Sequence, residues 1–317
     1  MSPSSLLSPL ARLAAATLLL TGAAAAQTVP ADIATKLKAM GPVIDPPKVG
    51  AIYAPLQQKE PFPDIRIERD VAYGPAERNR LDVFMPEASL PSPRPVLIFV
   101  HGGGFVAGDK HTPGSPFYDN IAAWAANNGF IGVNITYRLA PQAPWPAGAE
   151  DVGAAVRWVG ENIGARGGDP ARVYLMGHSA GAVHVASYAS HPEFHGPKGV
   201  GLAGAILVSG LYDLTAIPFS KFELAYFGDD AATYAQRSSL AGLLASKLPL
   251  LVMMAELDPL PFAQQYKLLT ERLCNSQRGC VRTAVLAEHS HISEVYAINT
   301  PDTGLTSQIL AFTAAGK

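Results

Sequence analysis

Cysteine is nearly absent: Cys274 and Cys280 are the only two in 317 residues, which excludes a multi-thiolate metal centre or an extended disulfide framework. Charge is sparse as well. Charged residues make up 16% of the chain, the formal net charge is −2, and no run of one sign reaches the length of a basic arm or acidic tail. This balance offers no electrostatic footprint for nucleic acid. No internal repeat is visible, and the longest apolar stretch near the N-terminus is too short to span a bilayer comfortably, so no stable membrane insertion is expected. What remains is 48% hydrophobic, rich in glycine and proline, and long enough for one large core or two smaller domains.

The first residues differ from the rest. Arg12 precedes an apolar run from Leu13 to Leu20, and Ala24-Ala25-Ala26 before Gln27 forms an A-x-A site. Residues 1–26 read as a signal peptide, and the protein is expected to be exported, to the periplasm or beyond. In such a compartment Cys274 and Cys280, with Gly279 easing the turn between them, are expected to form a disulfide that contributes roughly 2 to 2.5 kcal/mol.

Residues 27–63 read as an N-terminal arm that packs over the body. Ala31 to Met40 has helical spacing, with Ile33, Leu37 and Met40 on one side. Prolines at 42, 46, 47, 55, 61 and 63 then predict neither regular helix nor central strand. From Ile65 the pattern becomes a sheet. Ile65–Val71 alternates and Leu81–Phe84 follows a turn, as two peripheral antiparallel strands would. Val96–Val100, Val173–Met176 and Leu250–Ala255 read as buried strands, and Ile131–Tyr137, Ala203–Ser209 and Val281–Leu286 are further apolar runs, alternating with helical stretches, the last from about Ile292 to Ala314. The expected class is α/β: a mostly parallel sheet with helices on both faces over residues 64–317, with 215–246 as a possible cap insertion. Ligands of such sheets sit beyond the carboxyl ends of the strands.

Reactive residue types fall at those ends. Gly177-His178-Ser179-Ala180-Gly181 is G-x-S-x-G between an apolar strand and an Ala-rich helix, a context that holds the serine out on a sharp turn as a nucleophile. His101-Gly102-Gly103-Gly104-Phe105 follows the strand Val96–Val100 and bares consecutive amides. No G-K-[ST] follows, so a phosphate loop is disfavoured. The amides of Gly103, Gly104 and Ala180 are instead expected to form an oxyanion hole, with His101 structural. Asp258, in Glu256-Leu257-Asp258-Pro259, is the preferred carboxylate, with Glu256 the alternative. His291, in Glu288-His289-Ser290-His291, is the preferred base, with His289 the alternative. The pairs His289/His291 and His191/His195 have no thiolate or carboxylate cluster beside them in the sequence, so no metal or cofactor is expected.

Taken together, HGGGF, Tyr137-Arg138-Leu139-Ala140-Pro141, GDPARVYLMGHSAGA, ELDP and HSHISEV resemble the hormone-sensitive-lipase-like branch of the α/β-hydrolase esterases. GHSAGA and Gly210-Leu211-Tyr212-Asp213-Leu214 are also similar to arylformamidases and feruloyl esterases. The resemblance runs from about Asp64 to the C-terminus. It implies a serine carboxylesterase acting on a small-molecule ester through Ser179, Asp258 and His291, with an arylformamidase-type amidase as the alternative and a non-catalytic binding protein as a third. Two positions depart from the pattern: Gln142 stands where the branch has glutamate, and GHSAG replaces GDSAG. Phe105, Phe117, Tyr118, Trp145, Phe219, Phe222, Tyr226 and Phe227 are candidates to wall an apolar pocket. With no long apolar lid, short acyl or aryl esters are the expected substrates.

Overall fold

The computed structural model describes residues 29–88 and 92–315. The signal-peptide reading of residues 1–26 lies outside them. Eight strands form one sheet: β1 (Ile65–Ala72), β2 (Arg80–Pro86), β3 (Arg94–Val100), β4 (Ile131–Ile135), β5 (Gly168–His178), β6 (Gly204–Val208), β7 (Leu250–Leu257) and β8 (Arg282–Ser290). Their order is β1-β2-β4-β3-β5-β6-β7-β8. β1 and β2 pair antiparallel at one edge, β2 runs antiparallel to β4, and every other pairing is parallel. The apolar strands β3, β4 and β6 lie at the centre because both faces are covered, and their side chains are almost entirely buried.

The helices are α1 (Ala31–Met40), α2 (Pro46–Tyr53), α3 (Asp119–Asn127), α4 (Ala147–Asn162), α5 (Ala180–Ser190), α6 (Lys221–Phe227), α7 (Tyr234–Arg237), α8 (Leu240–Ala245), α9 (Leu260–Cys274), α10 (Ser293–Tyr296) and α11 (Gly304–Ala314). They bury two large apolar layers. One sets Val152, Val156 and Val159 of α4 and Val185 of α5 against the sheet. The other joins Ile121 and Trp124 of α3 to Ile309 and Phe312 of α11, and takes in Ile33 and Leu37 of α1. The arm thus packs on the body through α1, as an N-terminal arm over the domain would.

Two expectations fail locally. Helix α2 lies inside the proline-rich passage, because Pro46 and Pro47 occupy the first turn, where no intrahelical N–H is required, and Asp45 caps it by accepting from Lys48 N at 3.0 Å. The final helical stretch is broken into α10 and α11, since Asn299 adopts a left-handed φ of 67° and Pro301 follows it. Cys274 and Cys280 are disulfide-bonded, tying the end of α9 to the approach to β8. Among the described residues no helix is long and apolar enough to cross a membrane.

Candidate active site

Ser179 sits between β5 and α5 with φ 56° and ψ −124°, a conformation in which few non-glycine residues are found. Its N–H donates to Val208 O at 2.9 Å, which anchors the turn to the neighbouring strand. Gly181 makes so sharp a turn possible: a Cβ there would overlap the carbonyl oxygen of Val100. Ser179 is therefore held half-buried at the start of α5, where the helix N-terminus favours developing negative charge.

The loop after β3 lies beside it. Gly103 has φ 122°, and a Cβ on it would overlap Ala107, whose N–H bonds back to Gly103 O at 3.1 Å. His101 is buried below this loop, its Nδ1 2.6 Å from Gly102 O and its ring stacked on Tyr137 at 4.4 Å. Burial pulls the His101 imidazole down to about 4, so it is neutral and braces the backbone. Tyr137 of the YRLAP motif donates its hydroxyl to His101 O at 2.9 Å, and Arg138 is held by Asp151 at 2.9 Å. Gln142, one of the two departures from the pattern, lies exposed.

Asp258 follows β7 and His291 follows β8, and the parallel pairing of these strands brings the two together. His291 Nδ1 is 2.7 Å from Asp258 Oδ1, and both side chains are fully buried. Asp258 Oδ2 accepts from Ser209 Oγ at 2.6 Å and from Ala255 N at 3.0 Å. Three donors thus fix the carboxylate and, through it, the imidazole. His291 Nε2 is buried without a hydrogen-bond partner.

The alternatives are placed elsewhere. Glu256 is exposed and accepts from Glu288 N at 2.7 Å. His289 has a polar group against each nitrogen: Nδ1 is hydrogen-bonded to Ser293 Oγ at 3.0 Å, and Nε2 is in ion-pair contact with Asp302 Oδ2 at 3.1 Å.

A cavity of about 440 Å³ joins these groups. Its lining includes Ser179, His291, Gly103, Gly104 and Ala180, so five of the six residues singled out from the sequence share one space, and the sixth, Asp258, is buried behind His291. Of the aromatic candidates, Phe105, Tyr118 and Phe222 line it. Phe117 instead stacks on Tyr296 at 3.7 Å, and Trp145, Phe219, Tyr226 and Phe227 pack in a core cluster with Phe105. Sequence reasoning missed Ile44, Leu211, Ile292 and Phe262, whose ring lies 4.4 Å from that of His291. It also missed Glu294, fully buried beside His178, for which the only signal was an acidic residue three places after His291.

Two groups of side chains approach metal-ligating geometry. His178, His291 and Glu294 bring one ligand atom each within 4.8 Å of one another, as do Glu60, His111 and Asp119. In the second, Asp119 is already held by both terminal nitrogens of Arg69 at 2.8 Å and by His111. In the first, His178 Nε2 is engaged by the His291 carbonyl at 2.7 Å. Both sets read as hydrogen-bond networks.

The chain is similar to known protein families and to solved structures. The BD-FAE profile matches residues 81–194, and that of the prolyl oligopeptidase family matches residues 146–314. Carboxylesterase NlhH of Mycobacterium tuberculosis is 41% identical over 124 residues, 38% of this chain and 37% of that protein. Esterase LipQ of the same organism is 29% identical over 248 residues, 72% of this chain and 58% of that protein. The chain thus spans less than two thirds of the length of these relatives. Among solved structures, esterase B from Lactobacillus rhamnosis superposes with a TM-score of 0.70 at 18% identity, covering 90% of this chain and 96% of that one. A hyperthermophilic esterase from Pyrobaculum calidifontis does so with a TM-score of 0.67 at 20% identity, covering 92% and 100%. At such identities the likeness carries the fold. Because the second profile takes in more than half of the residues, the chain belongs to the prolyl oligopeptidase family, built on an α/β-hydrolase fold.

Proposed function

We propose that the protein is a serine carboxylesterase that hydrolyses short-chain or aryl carboxylic esters through an acyl-enzyme. The observation that carries this reading is a fully buried His291 whose Nδ1 is fixed by Asp258 at 2.7 Å while its Nε2 has no partner, in the same cavity as a strained Ser179. An imidazole oriented on one side and open on the other is what a general base requires. Ser179 Oγ attacks the ester carbonyl and its proton passes to His291 Nε2. Amide N–H groups of Gly103, Gly104 and Ala180 receive the oxyanion. Collapse expels the alcohol, which takes the proton from His291, and water then releases the acid by the same route. The names of the esterase relatives support the reading.

The apolar lining by Leu211, Ile217, Phe222 and Phe262 favours a small acyl or aryl group. Ile44 and Pro46 of the arm and residues 217–223 contribute to the same walls, which supports treating 27–63 and 215–246 as cap material. Export rests on the residue pattern around Arg12 and Ala26, and N-terminal sequencing of the protein from fractionated cells tests it. Ser179→Ala should abolish p-nitrophenyl acetate hydrolysis without altering the fold. Near wild-type turnover in that variant would refute the assignment, and a strong preference for N-formyl-aryl amides over acetyl esters would move it to an arylformamidase-type amidase.

A further inference from the structure

Behind the proposed triad lies an acidic group that the reaction leaves unused. Glu294, in α10, is fully buried, and among the described residues neither carboxyl oxygen has a hydrogen-bond partner. Its Oε1 is 3.2 Å from His178 Nε2, which itself lies 2.7 Å from the backbone oxygen of His291. Asp258 and the Ser209 hydroxyl are its other polar neighbours, with the Tyr212 phenol close by. Since Ser209 donates to Asp258, Asp258 holds His291 and His178 meets the His291 backbone, these four residues form an open ring around Glu294. Ser209 occupies this ring with a left-handed φ of 51°.

Charge decides the state of the ring. Asp258 must be ionised to hold the imidazole, and a second, fully buried carboxylate beside it would meet a like charge, with no lysine or arginine paired to it among the described residues. The group placed to compensate the charge of an ionised Glu294 is His178, and only if it is protonated on both nitrogens. Yet His178 Nδ1 is buried without an acceptor, and its ring is 4.8 Å from that of His291, which must accept a proton in every cycle. Burial and Asp258 both push the Glu294 carboxyl well above its ordinary range, while burial and His291 push His178 well below its own.

We propose that Glu294 carries a proton at neutral pH and, as an uncharged carboxyl, is a positioning residue for the proposed triad. Its O–H is directed to Ser209, which fixes Asp258, and its carbonyl oxygen takes a share of the His178 N–H that holds the His291 backbone. This inference rests on the Ser179–His291–Asp258 reading.

Infrared spectroscopy of the wild-type protein at neutral pH, with Glu294→Gln, Glu294→Ala and Ser179→Ala, tests it. Expected is a protonated-carboxyl stretch that vanishes in Glu294→Gln. Glutamine keeps a donor and an acceptor without charge, so kcat should stay within about threefold and the acid limb of kcat/KM should not move. Glu294→Ala should lower kcat by roughly thirtyfold with KM little changed, as a misplaced triad would. Absence of the band, a tenfold loss or a shifted acid limb in Glu294→Gln, or unchanged kcat in Glu294→Ala would each overturn the proposal. Should Glu294→Gln fail to fold, the wild-type band decides alone. Full activity in Ser179→Ala would remove the esterase reading instead, leaving the band to report the Glu294 proton.

Discussion

His289 and His291 are two residues apart, both buried, and each faces an aspartate, yet the structure equips them for different work. Ser293 and Asp302 occupy both nitrogens of His289. Ser293 also accepts from Ser290 N at 2.8 Å, and Asp302 accepts from Gly304 N at 2.9 Å, so that ring staples the turn after β8 to the start of α11. His291 is held on one side only, with Nε2 left open. A histidine with a polar protein group against each nitrogen stabilises structure; one held at a single nitrogen is available to move protons. Strand alternation alone would put residues 289 and 291 on one face; the rings find different partners because β8 ends at Ser290 and His291 lies in the turn beyond it, against Asp258.

Substitution breaks the comparison most strongly at the open ring. His291→Ala should lower kcat by about four orders of magnitude or more with the fold retained, measured on p-nitrophenyl acetate and by circular dichroism. Asp258→Asn should lose about three to four orders, because the imidazole is then held in the wrong tautomer. His289→Ala should lose less than about tenfold in kcat but should lower unfolding free energy by ~1–3 kcal/mol in urea, since Asp302 is left buried without its partner. If the losses from His289→Ala and His291→Ala were exchanged, the roles would be exchanged too.

Acid sharpens the contrast between buried imidazoles and the rest of the fold. Burial lowers His101 to about 4 and His184 to about 3. Their unfolded values lie near 6.5, so between about pH 6.5 and 4 the unfolded chain binds more protons than the folded one. Stability should therefore fall as pH falls through that window, by at most about 1.4 kcal/mol per pH unit for each group. Glu294, raised by burial, has the opposite sign above its ordinary value and loses stability as pH rises. Urea midpoints flat from pH 7 to about 4.5 would contradict the neutral, buried state of these rings. The smallest effect is expected at Glu256→Ala, under about twofold in kcat, because its carboxylate braces only an exposed backbone N–H of Glu288.

Much of the candidate site was legible because its residues belong to local signals. The glycines around Ser179 announce a sharp strand-to-helix turn, and Asp258 and His291 each follow an apolar strand. Which of two neighbouring acids or histidines faces the cavity was a preference only, because it depends on strand register and on partners such as Ser209 and Asp302 far away in the chain. Glu294 carried only a weak signal, an acidic residue three places after His291, and Ile44 carried none. The burial of Glu294 is created by elements from β5 to α10 packing together, and Ile44 reaches the cavity only because Pro46 and Pro47 start a helix that the proline count argued against.

The most direct measurement is labelling with a fluorophosphonate probe followed by peptide mapping. Stoichiometric modification of Ser179, lost in His291→Ala and kept in His289→Ala, is the predicted result. Modification of another residue, or labelling of Ser179 that persists without His291, would contradict a serine activated by that imidazole.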